Sequence, residues 1–155
     1  MNPKCCCCFV CLEAYVTKPG DIVVVKQEDG PGLGLTNNPE GKDLVFVNPV
    51  YSLSLPDGPK AYVLHERMIF IAYVTGGTEL HGLAVELIRW DAGQERQVFL
   101  TPRKPLNFGN DRTRVHLYYE KFAPLMLSGP GQYSFRLVCN GTVIGQTELD
   151  VRQAT

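Results

Sequence analysis

Five of the six cysteines in this 155-residue chain stand within its first eleven positions, as Cys5, Cys6, Cys7, Cys8 and Cys11. Thiolates bind soft and borderline metals and exchange disulfides, and Cys8-Phe9-Val10-Cys11 has the two-residue spacing of a zinc half-site or a redox pair. A metal site here would draw on Cys5, Cys8 and Cys11. Strand geometry opposes it. In a regular extended strand, residues an odd number apart point to opposite faces, which separates Cys5 from Cys8 and Cys8 from Cys11. No second Cys-x-x-Cys or His pair follows to complete four ligands. The segment is therefore expected to open a strand that tolerates small apolar cysteines, with Cys139 an ordinary core residue. Acylation is a further reading of clustered cysteines, but neither a myristoylation start nor a carboxy-terminal prenylation box accompanies them. Sequence leaves open the redox or acylation state of Cys5, Cys6, Cys7, Cys8 and Cys11.

The other residue types suited to chemistry are isolated. His65 and His81 flank the most apolar segment and would meet only if the fold brought both to one rim, while His116 alternates outward from Val115, Leu117 and Tyr119. Ser128 precedes Gly129-Pro130 without the Gly-x-Ser-x-Gly elbow that exposes a nucleophile. Gly30-Pro31-Gly32-Leu33-Gly34 lacks the Gly-Lys-Ser/Thr ending of a phosphate loop, and Pro31 removes an amide donor. Asn140-Gly141-Thr142 has the form of a glycosylation sequon but carries weight only with secretion. An enzyme needs a base, an orienting group and a stabiliser within mutual reach, so no catalytic residue, no cofactor and no enzymatic activity are expected.

The elements that carry these residues are short strands. Eleven prolines and fifteen glycines punctuate apolar runs, which leaves little room for helix. Met68, Phe70, Ala72 and Val74 alternate with Ile69, Ile71 and Tyr73, which predicts a central strand in 62–75 covered on both faces. Leu44 to Leu55 is interrupted by Pro49 and reads as an edge or bent strand. Gly76-Gly77 leads into Leu83–Trp90, and Asp91-Ala92-Gly93 turns it into a hairpin with Arg96–Thr101. A loop over Pro102–Asp111 and a strand over Thr113–Phe122 follow, while Trp90, Tyr118 and Phe122 are either an exposed aromatic surface or interface core. In the last hairpin, Tyr133, Phe135, Leu137 and Cys139 face one side, as do Val143, Leu149 and Val151. A three-residue Cys139-Asn140-Gly141 loop with Gly141 left-handed keeps odd beside odd, whereas a two-residue Asn140-Gly141 turn would bury Gln146 and Glu148. The three-residue loop is expected. Together these features predict one all-β domain over 1–155, an antiparallel two-sheet sandwich of about seven to nine strands, with a Cys-rich start over 1–8 and a flexible loop over 28–43.

A formal charge of −1 with acids and bases interspersed offers no field for nucleic acid. The apolar run Met68–Val74 falls far short of the ~20 residues needed to span a bilayer, and no secretory leader is evident. A cytoplasmic protein without a membrane span is expected. Cys11-Leu12-Glu13-Ala14-Tyr15, Pro19-Gly20-Asp21-Ile22, Leu55-Pro56 with Pro59, Gly76-Gly77, Gly129-Pro130-Gly131-Gln132-Tyr133-Ser134-Phe135 and Asn140-Gly141-Thr142 resemble a family of small bacterial immunoglobulin-like β-sandwich proteins of unknown function. The resemblance covers most of the chain and implies an immunoglobulin-like sandwich with no catalytic residue to carry over. The 27–43 insertion and the cysteine run depart from that pattern. The function expected is a noncatalytic binding or assembly module with a protein partner, using the Gly30–Lys42 loop, the Pro102–Asp111 loop or an edge strand. A Cys-based metal or redox site and a hydrolase are the alternatives, and the oligomeric state stays open.

Overall fold

Met68–Thr75 (β7) is apolar on both faces and takes the centre of a sheet, paired antiparallel to Lys4–Val16 (β1) on one side and to His116–Phe122 (β11) on the other. Leu44–Pro49 (β4) adds to the far side of β1, giving the order β11-β7-β1-β4. The structure is a computed structural model that describes residues 2–16, 22–23, 36–37, 44–55, 62–64, 68–122 and 124–153, and every regular element among them is a strand.

The second sheet is built on Leu80–Asp91 (β8), Gly131–Cys139 (β13) and Thr142–Gln153 (β14), which run antiparallel in that order. Gln94–Leu100 (β9) and Lys104–Asn107 (β10) lie end to end along the outer side of β8. Thr101 joins them: its amide donates to the Val85 carbonyl at 2.9 Å, and its Oγ1 accepts from the Val85 amide at 2.8 Å. The expected loop over Pro102–Asp111 is thus partly strand, with Pro105 at a sheet edge where a missing N–H costs no ladder bond. Ser52–Leu55 (β5) closes the other side of the sheet and runs parallel to β14, so the sheet is mixed where a purely antiparallel one was expected. Pro49 is the hinge for this. The Val50 amide still donates to Val10 of β1 at 2.8 Å, and the Tyr51 carbonyl already accepts from Asp150 of β14 at 2.9 Å, so the chain changes sheets within two residues.

Ten strands occupy the two sheets, above the expected count, because the bend at Pro49 divides the 44–55 run into two strands and part of the expected Pro102–Asp111 loop forms β10. Tyr62–Leu64 (β6) with Leu125–Leu127 (β12), and Ile22–Val23 (β2) with Thr36–Asn37 (β3), form two small ribbons. Apart from β3, the expected flexible segment 28–43 lies outside the described residues.

The sheets meet along Met68, Phe70 and Val74 on one side and Leu83, Val85, Leu87, Tyr133, Phe135 and Leu137 on the other. Phe135 stacks on Phe70 at 6.4 Å and lies tilted against Phe122 at 5.6 Å. A smaller cluster, Cys11, Ile69 and Ile71 with Phe9, Tyr73 and Leu117, covers the outer face of the first sheet, as the double-sided pattern of β7 requires. The phase of β11 is opposite to expectation. Tyr118 and Phe122 point into the core and Tyr119 is exposed, because pairing 116 with 74 and 118 with 72 sets the even residues beside the core face of β7.

The terminal hairpin corrects its expected loop. Cys139 pairs with Thr142 across a two-residue Asn140-Gly141 turn, with both residues at positive φ (50° and 78°) as the mirror-image hairpin turn demands. Odd still meets odd further on, because 138 pairs with 143 but 137 pairs with 145: Ile144 is an extra residue, and this bulge absorbs the parity change the turn introduces.

Candidate functional site

The cysteine run lies inside β1, and its pairing contains one irregularity. Cys5 pairs with Val74 and Cys7 with Tyr73, so Cys6 has no partner of its own. A bulge shifts parity by one residue, and Cys5 and Cys8 therefore share the core face. This overturns the expectation that strand geometry keeps them apart. Both are half-buried and pack against the main core. Across the sandwich they meet Gly145 of β14, where a Cβ would lie 2.6 Å from the Cys5 sulfur, 2.7 Å from the Cys5 Cβ and 3.5 Å from the Cys8 sulfur. Only a residue without a side chain fits this approach.

The Cys8 thiol holds Cys5 below the usual thiol range, aided by a backbone hydrogen bond from Cys7 and opposed by burial. The neighbouring Cys5 thiol, followed by burial, raises Cys8. The Cys5 Sγ donates to the Cys7 carbonyl at 3.3 Å. Cys6 and Cys7 are exposed. Cys11 is buried on the opposite face with Ile69 and Ile71, and burial pushes it up to about 11. Of the three metal candidates, Cys5 and Cys8 come together and Cys11 does not. Among the described residues no group of three or more His, Cys, Asp or Glu side chains is placed to hold a metal.

Cys139 is fully buried, and burial raises its thiol. His81 Nδ1 stands 3.8 Å from its sulfur and 3.5 Å from Asn140 Nδ2. His116, expected to point outward, is half-buried and packs edge-on against Phe108, as does His81. His65 and Gly30-Pro31-Gly32-Leu33-Gly34 lie outside the described residues. Ser128 is held by Arg89, whose Nη1 donates to its carbonyl and its Oγ at 2.8 Å each while Nη2 donates to the Pro130 carbonyl at 3.1 Å. That clamp fixes the Gly129-Pro130 corner. Trp90 is partly exposed, while Tyr118 and Phe122 are core.

Sequence reasoning missed a second feature. Between β9 on one side and the end of β11 with β12 on the other lies an open groove of about 570 Å³, walled by Phe99, Leu100, Phe122, Leu125 and Met126. Leu100 and Met126 are 55% and 62% exposed. Phe99 and Phe122, 5.0 Å apart, join its walls. Its charged lining residues, Arg96 and Lys121, are both basic among the described residues. Both β9 and β11 pair on one side only among the described residues. The sequence signal was the unbroken apolar triplet Val98-Phe99-Leu100, too long for a strand with one solvated face.

No protein-family model matches this chain, and no curated protein matches it. Among solved structures it is similar to the Pseudomonas fluorescens alkylpurine DNA glycosylase AlkC bound to DNA containing an abasic site analog, with TM-score 0.40 and 13% identity, over 61% of this chain and 31% of that one. This chain's match thus spans under a third of the glycosylase, and a likeness so distant assigns no activity. No helix among the described residues is long and apolar enough to cross a membrane.

Proposed function

We propose that this protein is a noncatalytic immunoglobulin-like module that binds an extended segment of a partner protein in the groove between β9 and β11. The observation that carries the reading is that groove: apolar walls with Leu100 and Met126 exposed, flanked by strands that pair on one side only among the described residues. An incoming strand would gain main-chain hydrogen bonds from an edge and side-chain burial from the walls. Arg96 and Lys121 favour a segment with acidic flanks. The immunoglobulin-like assignment is supported by the Tyr133 hydroxyl, which donates to the Gly129 carbonyl at 2.8 Å in the manner of a tyrosine corner. The placement of β7 beside β11 in one sheet and of β8, β13 and β14 in the other supports it further. A reducing, cytoplasmic setting is the compartment we propose, since five crowded cysteines make no framework that staples distant loops.

The test is selection from a displayed library of random peptides on the wild-type protein and on a Leu100→Asp/Met126→Asp variant. Both side chains are exposed, so the variant should unfold at the wild-type temperature. Peptides alternating apolar residues beside an acidic flank should be enriched on the wild type alone and should slow amide exchange along β9 or β11. No enrichment, or equal enrichment on both proteins, refutes the proposal, and turnover in an esterase, phosphatase or glycosidase panel would favour a hydrolase.

A further inference from the structure

We propose that Cys5 and Cys8 are a peroxide-oxidisable pair, with Cys5 the attacking thiolate and Cys8 the resolving thiol, closing to a disulfide across the bulge at Cys6. Three geometric facts carry this. The bulge sets both side chains on one face of β1. Both sulfurs lie close to one point, the Cβ position of Gly145, at 2.6 Å for Cys5 and 3.5 Å for Cys8. Gly145 leaves the space beside them free of any side chain from β14.

The roles follow from their surroundings. The neighbouring Cys8 holds Cys5 below the usual thiol range while Cys8 itself is raised, which favours thiolate at Cys5 over Cys8. Cys5 is half-buried, accessible enough for a small oxidant. A hydroperoxide is the co-reactant. The Cys5 sulfur attacks its terminal oxygen, an S–O bond forms, the O–O bond breaks, and the departing alkoxide or hydroxide takes up a proton. Cys5 is then a sulfenic acid, and the negative charge that held the proton on Cys8 is gone. The Cys8 sulfur attacks that of Cys5, the S–S bond forms, the S–O bond breaks, and the hydroxide released takes the Cys8 proton to leave as water. Two thiols supply two electrons, and the peroxide is reduced to an alcohol or water plus a second water.

Four adjacent cysteines allow other pairings, which the structure distinguishes. A regular strand would place Cys6, not Cys5, beside Cys8; the bulged strand places Cys5 there. The spacing first singled out, Cys8 with Cys11, crosses the sheet.

The experiment is oxidation of the reduced full chain by one equivalent of hydrogen peroxide, followed by thiol counting and fragmentation mass spectrometry without reductant. Wild type should lose two of its six free thiols in a Cys5–Cys8 link. A Cys6→Ser/Cys7→Ser variant, changed only at exposed positions, should do the same and unfold at the wild-type temperature. Cys8→Ala should stop at a Cys5 sulfenic acid that dimedone traps, whereas Cys5→Ala should yield neither link nor trapped Cys8. A Cys6–Cys8, Cys6–Cys7 or Cys8–Cys11 link in the wild type, or six thiols retained, overturns the proposal.

Discussion

Replacing Gly145 with Ala tests the contact on which the cysteine site depends. The new Cβ would lie 2.6 Å from the Cys5 sulfur and 2.7 Å from the Cys5 Cβ. Rotating the Cys5 side chain moves its sulfur away but leaves its Cβ in place, so relief requires one strand to shift. Overpacking of this kind costs about 1–3 kcal/mol, which in a chain of this size lowers the melting temperature by about 2–4 °C per kcal/mol. The cost should vanish when Cys5 is Gly, because the remaining neighbour, the Cys8 sulfur at 3.5 Å, is in ordinary contact. In that background Ala should be neutral or stabilise by about 0.4–1 kcal/mol, since Gly→Ala restricts the unfolded chain. The assay is a double-mutant cycle by urea denaturation, run in reductant so that no disulfide contributes. A coupling of at least about 1 kcal/mol between positions 5 and 145 is expected. If the effects add within about 0.5 kcal/mol, Cys5 does not face Gly145 and the bulge at Cys6 is misplaced.

Gly141→Val should cost about 1–3 kcal/mol in urea denaturation, because a β-branched residue is forced to φ 78° in the Asn140-Gly141 turn; unchanged stability would refute that turn. Tyr133→Phe removes the donor that satisfies the Gly129 carbonyl, and a loss of about 1–3 kcal/mol is expected by the same measurement, with none if the corner bond is absent. Stability should fall as pH rises above about 9, since burial pushes Cys11 up to about 11 and also raises Tyr118, so the unfolded state loses these protons first and binds fewer of them. Cys5, held below the usual thiol range, contributes in the opposite sense. The decline between pH 9 and 11 should be shallower in Cys11→Ala, and an unaltered slope would show that Cys11 is not the group responsible.

The parts of the fold legible in the sequence are those where one pattern admits one solution. Met68 to Val74 is apolar at every position, and its strand is buried on both faces. Asp91 pairs with Gln94 around Ala92-Gly93, as the turn residues indicate. Pattern fails where it is degenerate. His116 through Phe122 has large side chains at both parities, and alternation alone could not tell that Tyr118 rather than Tyr119 is core. The four-residue strand Ser52–Leu55 pairs parallel with residues 150–153, a partner too distant in sequence for any local signal. At the terminal hairpin two signals conflicted. The Asn-Gly dipeptide favoured a two-residue turn, parity favoured three, and the bulge at Ile144 allows both to hold. The groove depends on which strand edges face each other, which composition does not encode.

The same device explains why the cysteine site was invisible. Side-chain parity is reliable only between bulges, because each extra residue exchanges the two faces of everything beyond it. In β1 the exchange is masked further, since four consecutive cysteines let the strand slip by one residue without changing the type of side chain at any position in the run. What distinguishes the registers lies outside the run. The bulge keeps Lys4 opposite Thr75, while Pro3 is buried and Asn2 Oδ1 accepts from Asn140 Nδ2 at 3.5 Å. A regular strand would draw this end one residue past Thr75 and break those contacts. The identity of the thiol beside Cys8 is therefore fixed from the strand's end and from Gly145 across the sandwich, not by the cysteines themselves. The two bulges, at Cys6 and Ile144, lie on the strands that bring Cys5, Cys8 and Gly145 together, so the sulfur pair is a product of backbone irregularity on both sheets at once.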